Sequence, residues 1–330
     1  MNKTTWQEAP RITIIVPCYN CADILDRLVS AVIEADAIGP RQLILVDDGS
    51  QDDTAQVIRD FERDHPFIEA IYGECNRGAG VARNLGFARA RGTYTLFFDA
   101  DDMLHVDALA AALDLLDAHD ADLAVLPYSY DRGDGSGYVA MNTHDARVWG
   151  DLMGNRDTRV CTLDAAATLL GMSNYPWNKV MRTQVYSEAG LRFGATPVNN
   201  DILGHWHAFL HADRIVLHNA VLCTHYVSPG GANLTNRSSA ERLALFEALD
   251  ETYSLLEAHP LFRSRFAHHY WGFAHRTILW ARGRIDQAHQ MELANRAQNH
   301  VARINLSDYF SISAKRDARL ARDLARLMYN

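Results

Sequence analysis

The chain has 330 residues, of which 48% are hydrophobic and 22% are charged, as in globular proteins that build a packed core. This length accommodates one large α/β domain with an extension, or two domains. The formal charge of −9 argues against a general nucleic-acid-binding protein, because such a protein needs a basic face to neutralise phosphates. No apolar run is long enough to span a bilayer, the N-terminus lacks a signal core, and the five cysteines fit reduced thiols, so we expect a cytoplasmic protein.

The first 130 residues alternate between strand and helix patterns. Short continuous apolar runs are typical of strands buried on both faces, and apolar residues three and four apart are typical of amphipathic helices. A capping box formed by Ser50 and Asp53 is predicted to begin the second helix. The predicted strands are 12–17, 42–46, 67–72, 94–98 and 122–128, and the helices cover 25–32, 57–61, 79–90 and 106–119. This order predicts an α/β fold with a mainly parallel sheet flanked by helices.

The second half of the chain has a different pattern. Residues 131–159 are rich in Gly, Asp and Asn and are predicted to form a loop that could include a hairpin. Further elements follow, with helices 164–171 and 201–211 and strands 214–218 and 221–227, and from residue 237 onward the pattern is wholly helical. We therefore predict an α/β domain of residues 1–236 and a C-terminal helical extension of residues 237–330.

Polar clusters follow three of the predicted strands, at the strand ends where open α/β sheets bind ligands. They are residues 17–20 (Pro-Cys-Tyr-Asn), 47–50 (Asp-Asp-Gly-Ser) and 99–102 (Asp-Ala-Asp-Asp). Three acids within four residues repel one another, and a hard divalent cation shared with phosphate oxygens would relieve that repulsion. The alternative is a solvated acidic helix start, and Asp102 could be a helix cap of that kind.

These motifs resemble those of the family-2 glycosyltransferases of the GT-A fold, over about residues 11–235. The matching segments are 14–20, 46–50, 76–78 with 82–86, 98–102, and 177–179 with 190–193. The resemblance implies an inverting hexosyl- or N-acetylhexosaminyltransferase that moves a sugar from a nucleotide-diphospho-sugar, a UDP-sugar in our prediction, to an acceptor hydroxyl. It also implies a divalent Mn²⁺ or Mg²⁺ and an acceptor such as a cell-surface polysaccharide or lipid-linked glycan.

The resemblance carries roles only to matching residues. The predicted donor-binding residues are Pro17, Tyr19, Asn20, Asp47, Asp48, Arg83, Asp99 and Ala100. Within this set, Pro17 and Tyr19 should line the uracil pocket, Tyr19 by stacking, and Asp48 should accept a hydrogen bond from the uracil ring. Asp47 should support its loop, and Arg83 should face the diphosphate or hold the acidic edge.

The predicted metal ligands are Asp101 and, as one of two interpretations, His225, which could equally be an ordinary structural histidine. The predicted catalytic base is Asp201, and the alternative for it is a helix cap. Asn200 stands where the family commonly has Glu, so one supporting carboxylate is missing and the orientation of the base stays open. Trp177 and Lys179 could line the acceptor side or pack in the core, and the sequence favours neither alternative.

Four other patterns are assigned no chemistry. Cys18 and Cys21 form a C-x-x-C by chance placement, since they lie within the first strand-end motif. Residues 78–83 lack the third glycine of a dinucleotide fingerprint, and the pair His207 and His211 lacks the adjacent Glu of a zinc peptidase. The pair at 268–269 has no acidic neighbours close in sequence.

Two rival functions remain. A sugar-nucleotide pyrophosphorylase would have a Gly-rich phosphate loop after the first strand, where this chain has 19–22 (Tyr-Asn-Cys-Ala). A catalytically silent scaffold subunit would not need Asp48, Asp99, Asp101 and Asp201 together.

The basic C-terminal segment, residues 301–330, carries an apolar stripe of Leu320, Leu324, Leu327 and Met328. The stripe predicts one of two uses. It could pack within the chain or against a second subunit, or it could contact the inner face of the membrane.

Overall fold

The computed structural model describes residues 9–133, 137–227 and 238–329. Two sheets form the α/β part of the molecule. The twelve described strands are β1 (Ile12–Cys18), β2 (Arg41–Asp47), β3 (Ile68–Tyr72), β4 (Tyr94–Phe97), β5 (Met103–Leu104), β6 (Leu123–Val125), β7 (Tyr128–Asp131), β8 (Tyr138–Ala140), β9 (Thr158–Cys161), β10 (Lys179–Arg182), β11 (Ile215–His218) and β12 (Cys223–Tyr226).

The large sheet has eight strands in the order β3-β2-β1-β4-β10-β6-β11-β9. Strands β3, β2, β1 and β4 are mutually parallel, and β11 is parallel to β6. Strand β10 is antiparallel to both β4 and β6, and β9 is antiparallel to β11. The predicted mainly parallel α/β sheet is therefore confirmed, with two reversed strands that the sequence did not reveal.

The small sheet has four strands in the order β5-β12-β7-β8. Its strand β12 pairs with β5, which directly follows the acidic cluster 99–102, so that Thr224 lies opposite Met103. This pairing brings residues from the end of the α/β part back to the carboxyl end of β4. The small sheet therefore completes the edge at which the predicted site residues lie.

Helices cover both faces of the large sheet. They are α1 (Leu25–Ile33), α2 (Thr54–Asp64), α3 (Ala79–Phe87), α4 (Val106–His119), α5 (Thr143–Met153), α6 (Thr183–Glu188), α7 (Asp201–Leu210), α8 (Leu245–Ala258), α9 (Pro260–Arg282), α10 (Gln290–Val301), α11 (Leu306–Ser311) and α12 (Ala318–Tyr329). Short 3₁₀ helices occupy Asp36–Ile38, Leu163–Gly171, Ala240–Ala244 and Gln287–His289, and Ile312–Arg316 is a π-helical turn. One hydrophobic core packs α1, α2 and α4 on one face of the sheet.

The other face of the sheet shares a core with the C-terminal helices. That core joins α3, α5 and α7 to α8, α9, α10 and α12, so the C-terminal helices pack directly on the α/β part of the molecule. The predicted boundary at residues 236 and 237 lies outside the described residues, and the division into two domains stays a prediction. No helix in the described part of the chain is long and apolar enough to cross a membrane.

Several local predictions were wrong. The capping box does not form, since Asp53 is the N-cap residue of α2 and the Ser50 hydroxyl instead accepts a hydrogen bond from the Asn20 amide at 3.0 Å. The predicted loop 131–159 could include a hairpin, and β8 within it does pair antiparallel with β7, but the segment also contains α5, whose N-cap Asn142 accepts from the Asp145 amide. The predicted strand 122–128 divides into β6 and β7, which belong to different sheets. Helix α3 ends at Phe87, before the predicted end at residue 90.

Helix α12 turns its apolar stripe inward. Leu324 is fully buried, and Leu320, Leu327 and Met328 pack against the same core, where α12 contacts α9 and α10. The Met328 carbonyl accepts a hydrogen bond from the side-chain amide of Gln298 at 2.6 Å. Of the two predicted uses of this stripe, packing within the chain is the one that the structure contains.

Candidate active site

The carboxyl ends of β1, β2 and β4 lie side by side because these three strands are parallel neighbours. The register places Cys18 opposite Asp47, so the polar clusters that follow β1 and β2 start at the same level of the sheet. Strand β4 is followed by the acidic cluster 99–102. The predicted donor-binding motifs therefore meet at one edge, as ligand sites in open α/β sheets do.

The two carboxylates at the end of β2 hold the surrounding loops. Asp47 accepts a hydrogen bond from the Ser50 amide at 3.0 Å, which is the loop-supporting role expected of it. Asp48 accepts from the backbone amides of Arg77 at 3.0 Å and Gly78 at 2.7 Å, directly before α3. Gly49 directly follows Asp48 and has φ +73°. A Cβ at this position would lie 2.6 Å from the backbone of Cys75, so the close approach of the two loops requires glycine. These bonds hold the two loops together at this edge of the sheet.

The residues after β1 place an exposed aromatic ring at the same edge of the sheet. Tyr19 is 46% exposed, whereas Pro17 before it is half-buried. Asn20 has a left-handed backbone (φ +48°) and its side-chain oxygen accepts from the Gln51 amide at 2.8 Å, which ties this loop to the loop after β2. Tyr19 is therefore an accessible planar surface on which a base could stack.

Arg83 lies at the centre of the site and is almost fully buried. Its guanidinium forms an ion pair with Asp99 at 2.6 Å and donates a second hydrogen bond to the side-chain oxygen of Asn200 at 2.9 Å. It also lies over the ring of Phe193 at 5.3 Å. One buried cation thus connects the acidic edge to the start of α7.

Asp201 is the first residue of α7, and Asn200 is its N-cap residue. The helix-cap alternative for Asp201 is therefore wrong, and the side chain of Asn200 makes no capping bond because it bonds Arg83 instead. Burial raises the pKa of Asp201 to about 6, although the Arg83 guanidinium opposes that rise. A carboxyl group with this pKa is ionised at neutral pH and still basic enough to accept a proton.

The acidic cluster after β4 contains two carboxyl groups in unlike environments. Asp101 is exposed, and partial desolvation together with the charge of Asp99 raises its pKa. Asp102 is fully buried, and its Oδ1 lies within hydrogen-bond distance of Nδ1 of His225 at 2.8 Å. Burial raises the pKa of Asp102 to about 7. The helix-cap alternative for Asp102 is wrong, because α4 begins later and has His105 as its N-cap residue. Ala100 is buried within this turn.

The side chains at the acidic edge could bind a hard divalent cation only if a bound ligand supplied further oxygen atoms. Within residues 9–133, 137–227 and 238–329, no three His, Cys, Asp or Glu side chains converge as a complete metal site. Asp101 and His225 are the protein ligands predicted for a cation. Desolvation and, second to it, the charge of Asp99 raise the pKa of Asp101, and a bound cation would offset both effects. Cations such as Mg²⁺ are commonly held by one or two carboxylates with phosphate oxygens completing the shell.

Trp177 and Lys179 lie in the core, so the packing alternative holds for both. Trp177 is fully buried and stacks on Tyr175 with ring centroids 4.4 Å apart. Lys179 is buried, and its ammonium donates to the Tyr175 carbonyl at 2.5 Å and to the Asn178 side chain at 2.7 Å. Burial lowers the pKa of Lys179 to about 7.

Two residues that hold the site together had no role predicted from the sequence. Arg27 of α1 donates to the Asp101 carbonyl at 2.7 Å and lies 4.3 Å from the ring of Tyr226. Asn84 forms a pair of hydrogen bonds with the backbone of Phe193, at 2.8 and 3.0 Å, and so docks α3 on the segment that leads to α7. Asn84 lies within the quoted motif 82–86, but nothing in the sequence indicated a role for Arg27.

Residues 13–173 match the family model described as Glycosyl transferase family 2, and over this segment the chain is similar to that family. The glycosyltransferase TuaG of Bacillus subtilis, whose name assigns it to teichuronic acid biosynthesis, is 34% identical over 134 residues, covering 40% of this chain and 52% of TuaG. The chain thus spans about half the length of this curated relative.

Solved structures confirm the predicted GT-A fold. Staphylococcus aureus TarS 1–349 in complex with UDP-GlcNAc superposes with a TM-score of 0.74 at 18% identity, covering 96% of this chain and 90% of that one. The mannosyltransferase PcManGT of Pyrobaculum calidifontis, in complex with GDP-Man and Mn²⁺, gives a TM-score of 0.56 at 17% identity, with 98% and 86% covered. At these identities the likeness concerns the fold, which includes the C-terminal helices.

Proposed function

We propose that the chain is an inverting glycosyltransferase that moves a sugar from a UDP-sugar to an acceptor hydroxyl. The observation that carries the proposal is the linkage through Arg83, which bonds Asp99 on the donor side and Asn200 beside the predicted base Asp201. A transferase needs these two functions within one cleft, since the donor's anomeric carbon must meet a deprotonated hydroxyl. The family match and the UDP-sugar bound by TarS support this proposal.

The donor would lie along the edge formed by the ends of β1 and β2. Tyr19 is the exposed ring available for stacking on the base, and Asp48 fixes the backbone of the loop against which the base would lie. Asp99 and Arg83 would contact the ribose, sugar or diphosphate. A planar platform with a hydrogen-bonding wall is the arrangement by which proteins commonly select one nucleobase.

A divalent cation would be held by Asp101 and His225 together with donor phosphate oxygens. Bound there, it would neutralise the charge of the departing nucleotide diphosphate. The Mn²⁺ in PcManGT supports a metal in this fold. The remaining chemistry belongs to Asp201, whose raised pKa suits it to take the proton of the acceptor hydroxyl.

The acceptor class is proposed from the relatives alone. TuaG is named for teichuronic acid biosynthesis, and this supports a cell-surface polysaccharide or related glycoconjugate as the product. We propose a cytoplasmic location. The C-terminal helices share a core with the α/β part, and the stripe of α12 is buried against α9 and α10. Contact with the inner face of the membrane, or with a second copy, would have to use another surface.

A panel of UDP- and GDP-sugars with Mn²⁺ tests the proposal. We expect one UDP-sugar to raise the thermal unfolding temperature in the presence of Mn²⁺ and to be hydrolysed slowly to UDP, with faster release once an acceptor is added. Binding without any release of UDP would instead indicate the silent scaffold subunit. Preference for a GDP-sugar would refute the predicted uracil pocket but retain the transferase.

A further inference from the structure

Asp102 is a buried carboxyl group with two defined partners. It is fully buried, and its Oδ1 lies within hydrogen-bond distance of Nδ1 of His225 at 2.8 Å and accepts a hydrogen bond from the backbone amide of Tyr226 at 3.1 Å. Burying a carboxyl group is costly unless its hydrogen bonds compensate. Because Oδ1 already accepts from an amide, it is best suited to accept from His225 as well, which places the ring proton on Nδ1.

The ring of His225 is also fixed in its plane. It lies nearly parallel to Trp177, with an interplanar angle of 24° and centroids 5.9 Å apart, and close to Tyr175 and Tyr130. Trp177 is itself fully buried, so this aromatic wall cannot easily move. The His225 side chain nevertheless retains 18% of its exposure. The ring is therefore held on one nitrogen and one face while part of it stays accessible.

We propose that Asp102 is a positioning residue, which fixes the Nδ1–H tautomer and orientation of His225 so that Nε2 is presented to a divalent cation beside Asp101. This inference rests on the proposed function. A carboxylate that accepts from the distal nitrogen of a ligating histidine raises the basicity of the ligand and removes the entropy of ring rotation, and its loss commonly costs about 10–100-fold in metal affinity. The pairing of β12 with β5 is what brings the two residues together.

The alternative is that Asp102 has only a structural role and does not act on His225. The carboxyl group would then serve only to hold the Tyr226 amide and the small sheet, and His225 would be a bystander. Both roles would lower stability when Asp102 is changed, so stability cannot distinguish them. Metal affinity in a double-mutant cycle can, because two residues that act through one ligand are not additive.

The experiment measures Mn²⁺ affinity by electron paramagnetic resonance of free Mn²⁺, with UDP at saturation. We expect Asp102→Asn to weaken Mn²⁺ binding by about 10–100-fold, His225→Ala to weaken it at least as much, and the double variant to match His225→Ala. The matched control is Asp145→Asn, which changes another buried carboxyl group, one that bonds the Tyr128 hydroxyl and the Ser173 amide. That variant should bind Mn²⁺ as the wild type does.

Two results would overturn the inference. Asp102→Asn could cost the same factor with and without His225, or His225→Ala could leave Mn²⁺ affinity unchanged. Should Asp102→Asn fail to fold, nitrogen-15 NMR of the wild-type histidines decides instead: we expect the proton of neutral His225 on Nδ1, and a proton on Nε2 contradicts the inference. None of these measurements requires sugar transfer, so a wild-type protein that binds Mn²⁺ and UDP without transferring sugar would refute only the proposed function.

Discussion

Replacement of Asp201 by Asn tests the proposed base with little change of shape. The side chain is half-buried at the first turn of α7, and burial raises its pKa to about 6. Asn keeps the volume and a hydrogen-bonding oxygen but cannot accept the proton of the acceptor hydroxyl. We therefore expect transfer to fall by about 10²–10⁴-fold while UDP affinity stays within a factor of about two.

The pH dependence of the wild type supplies an independent magnitude. Because the ionised form of Asp201 is the active one, kcat should rise with pH through about 6 and then level off. One unit below that pKa only about one-tenth of the carboxyl groups are ionised, so kcat at pH 5 should be about tenfold below the plateau. In Asp201→Asn this limb should disappear from the residual activity.

The assay is release of UDP from the donor with acceptor at saturation, in parallel with calorimetric titration of UDP. Asp213→Asn is the matched control, because Asp213 is an exposed carboxylate beyond the opposite end of α7. That variant should retain both wild-type kcat and the wild-type pH limb. If Asp201→Asn abolished UDP binding, or kept the pH limb intact, Asp201 would be a donor-side residue and the assignment of the base would be wrong.

Three further predictions concern the rest of the molecule. Arg83→Gln removes the cation that favours ionised Asp201, so the pKa of Asp201 should rise and the acid limb should move to higher pH, whereas Arg83→Lys should shift it less; a limb at unchanged pH would contradict this. Asp101→Ala should remove Mn²⁺-dependent UDP binding at an unchanged melting temperature, and wild-type turnover in that variant with EDTA present would refute the metal. Leu324→Ala, at a fully buried position in α12, should lower the free energy of unfolding in urea by about 2–5 kcal/mol. Leu306→Ala, at a position that is 73% exposed, should lower it by less than about 0.5 kcal/mol. Equal effects of the two variants would refute the packing of α12 on the core.

The sequence predicted the parallel half of the large sheet well, because its signals are local. The run 12–17 is apolar except for Thr13, as is typical of a strand buried on both faces, and α1 shows a clear helical stripe. The reversed strand β10 carries no such signal. Its four residues include Lys179, whose polar head is buried by bonding to Asn178 and to a carbonyl. That burial depends on contacts made after the chain has folded, so a hydropathy pattern could not show it.

The site shows the same division between local and tertiary information. The position of each acidic cluster follows from its place after a strand, and the edge was predicted on that basis. The partner of each side chain was not predictable, since Arg83 meets Asn200 across 117 positions of the chain and Asp102 meets His225 across 123. Asp102 was ambiguous for this reason: a carboxylate before a helix is commonly a cap, and only the pairing of β12 with β5 distinguishes the two roles.

This chain has Asn at position 200, where the family commonly has Glu, and the difference affects the charge around Arg83 and Asp201. A Glu beside Asp201 would add a second negative charge near the proposed base and would compete with Asp99 for the Arg83 guanidinium. With Asn, the guanidinium keeps a neutral partner at 2.9 Å and a charged one at 2.6 Å, so its charge is only partly neutralised. The remaining positive charge favours ionised Asp201 and limits the rise of its pKa caused by burial. The neutral residue therefore keeps the proposed base largely ionised at neutral pH, because it leaves Arg83 free to act on Asp201.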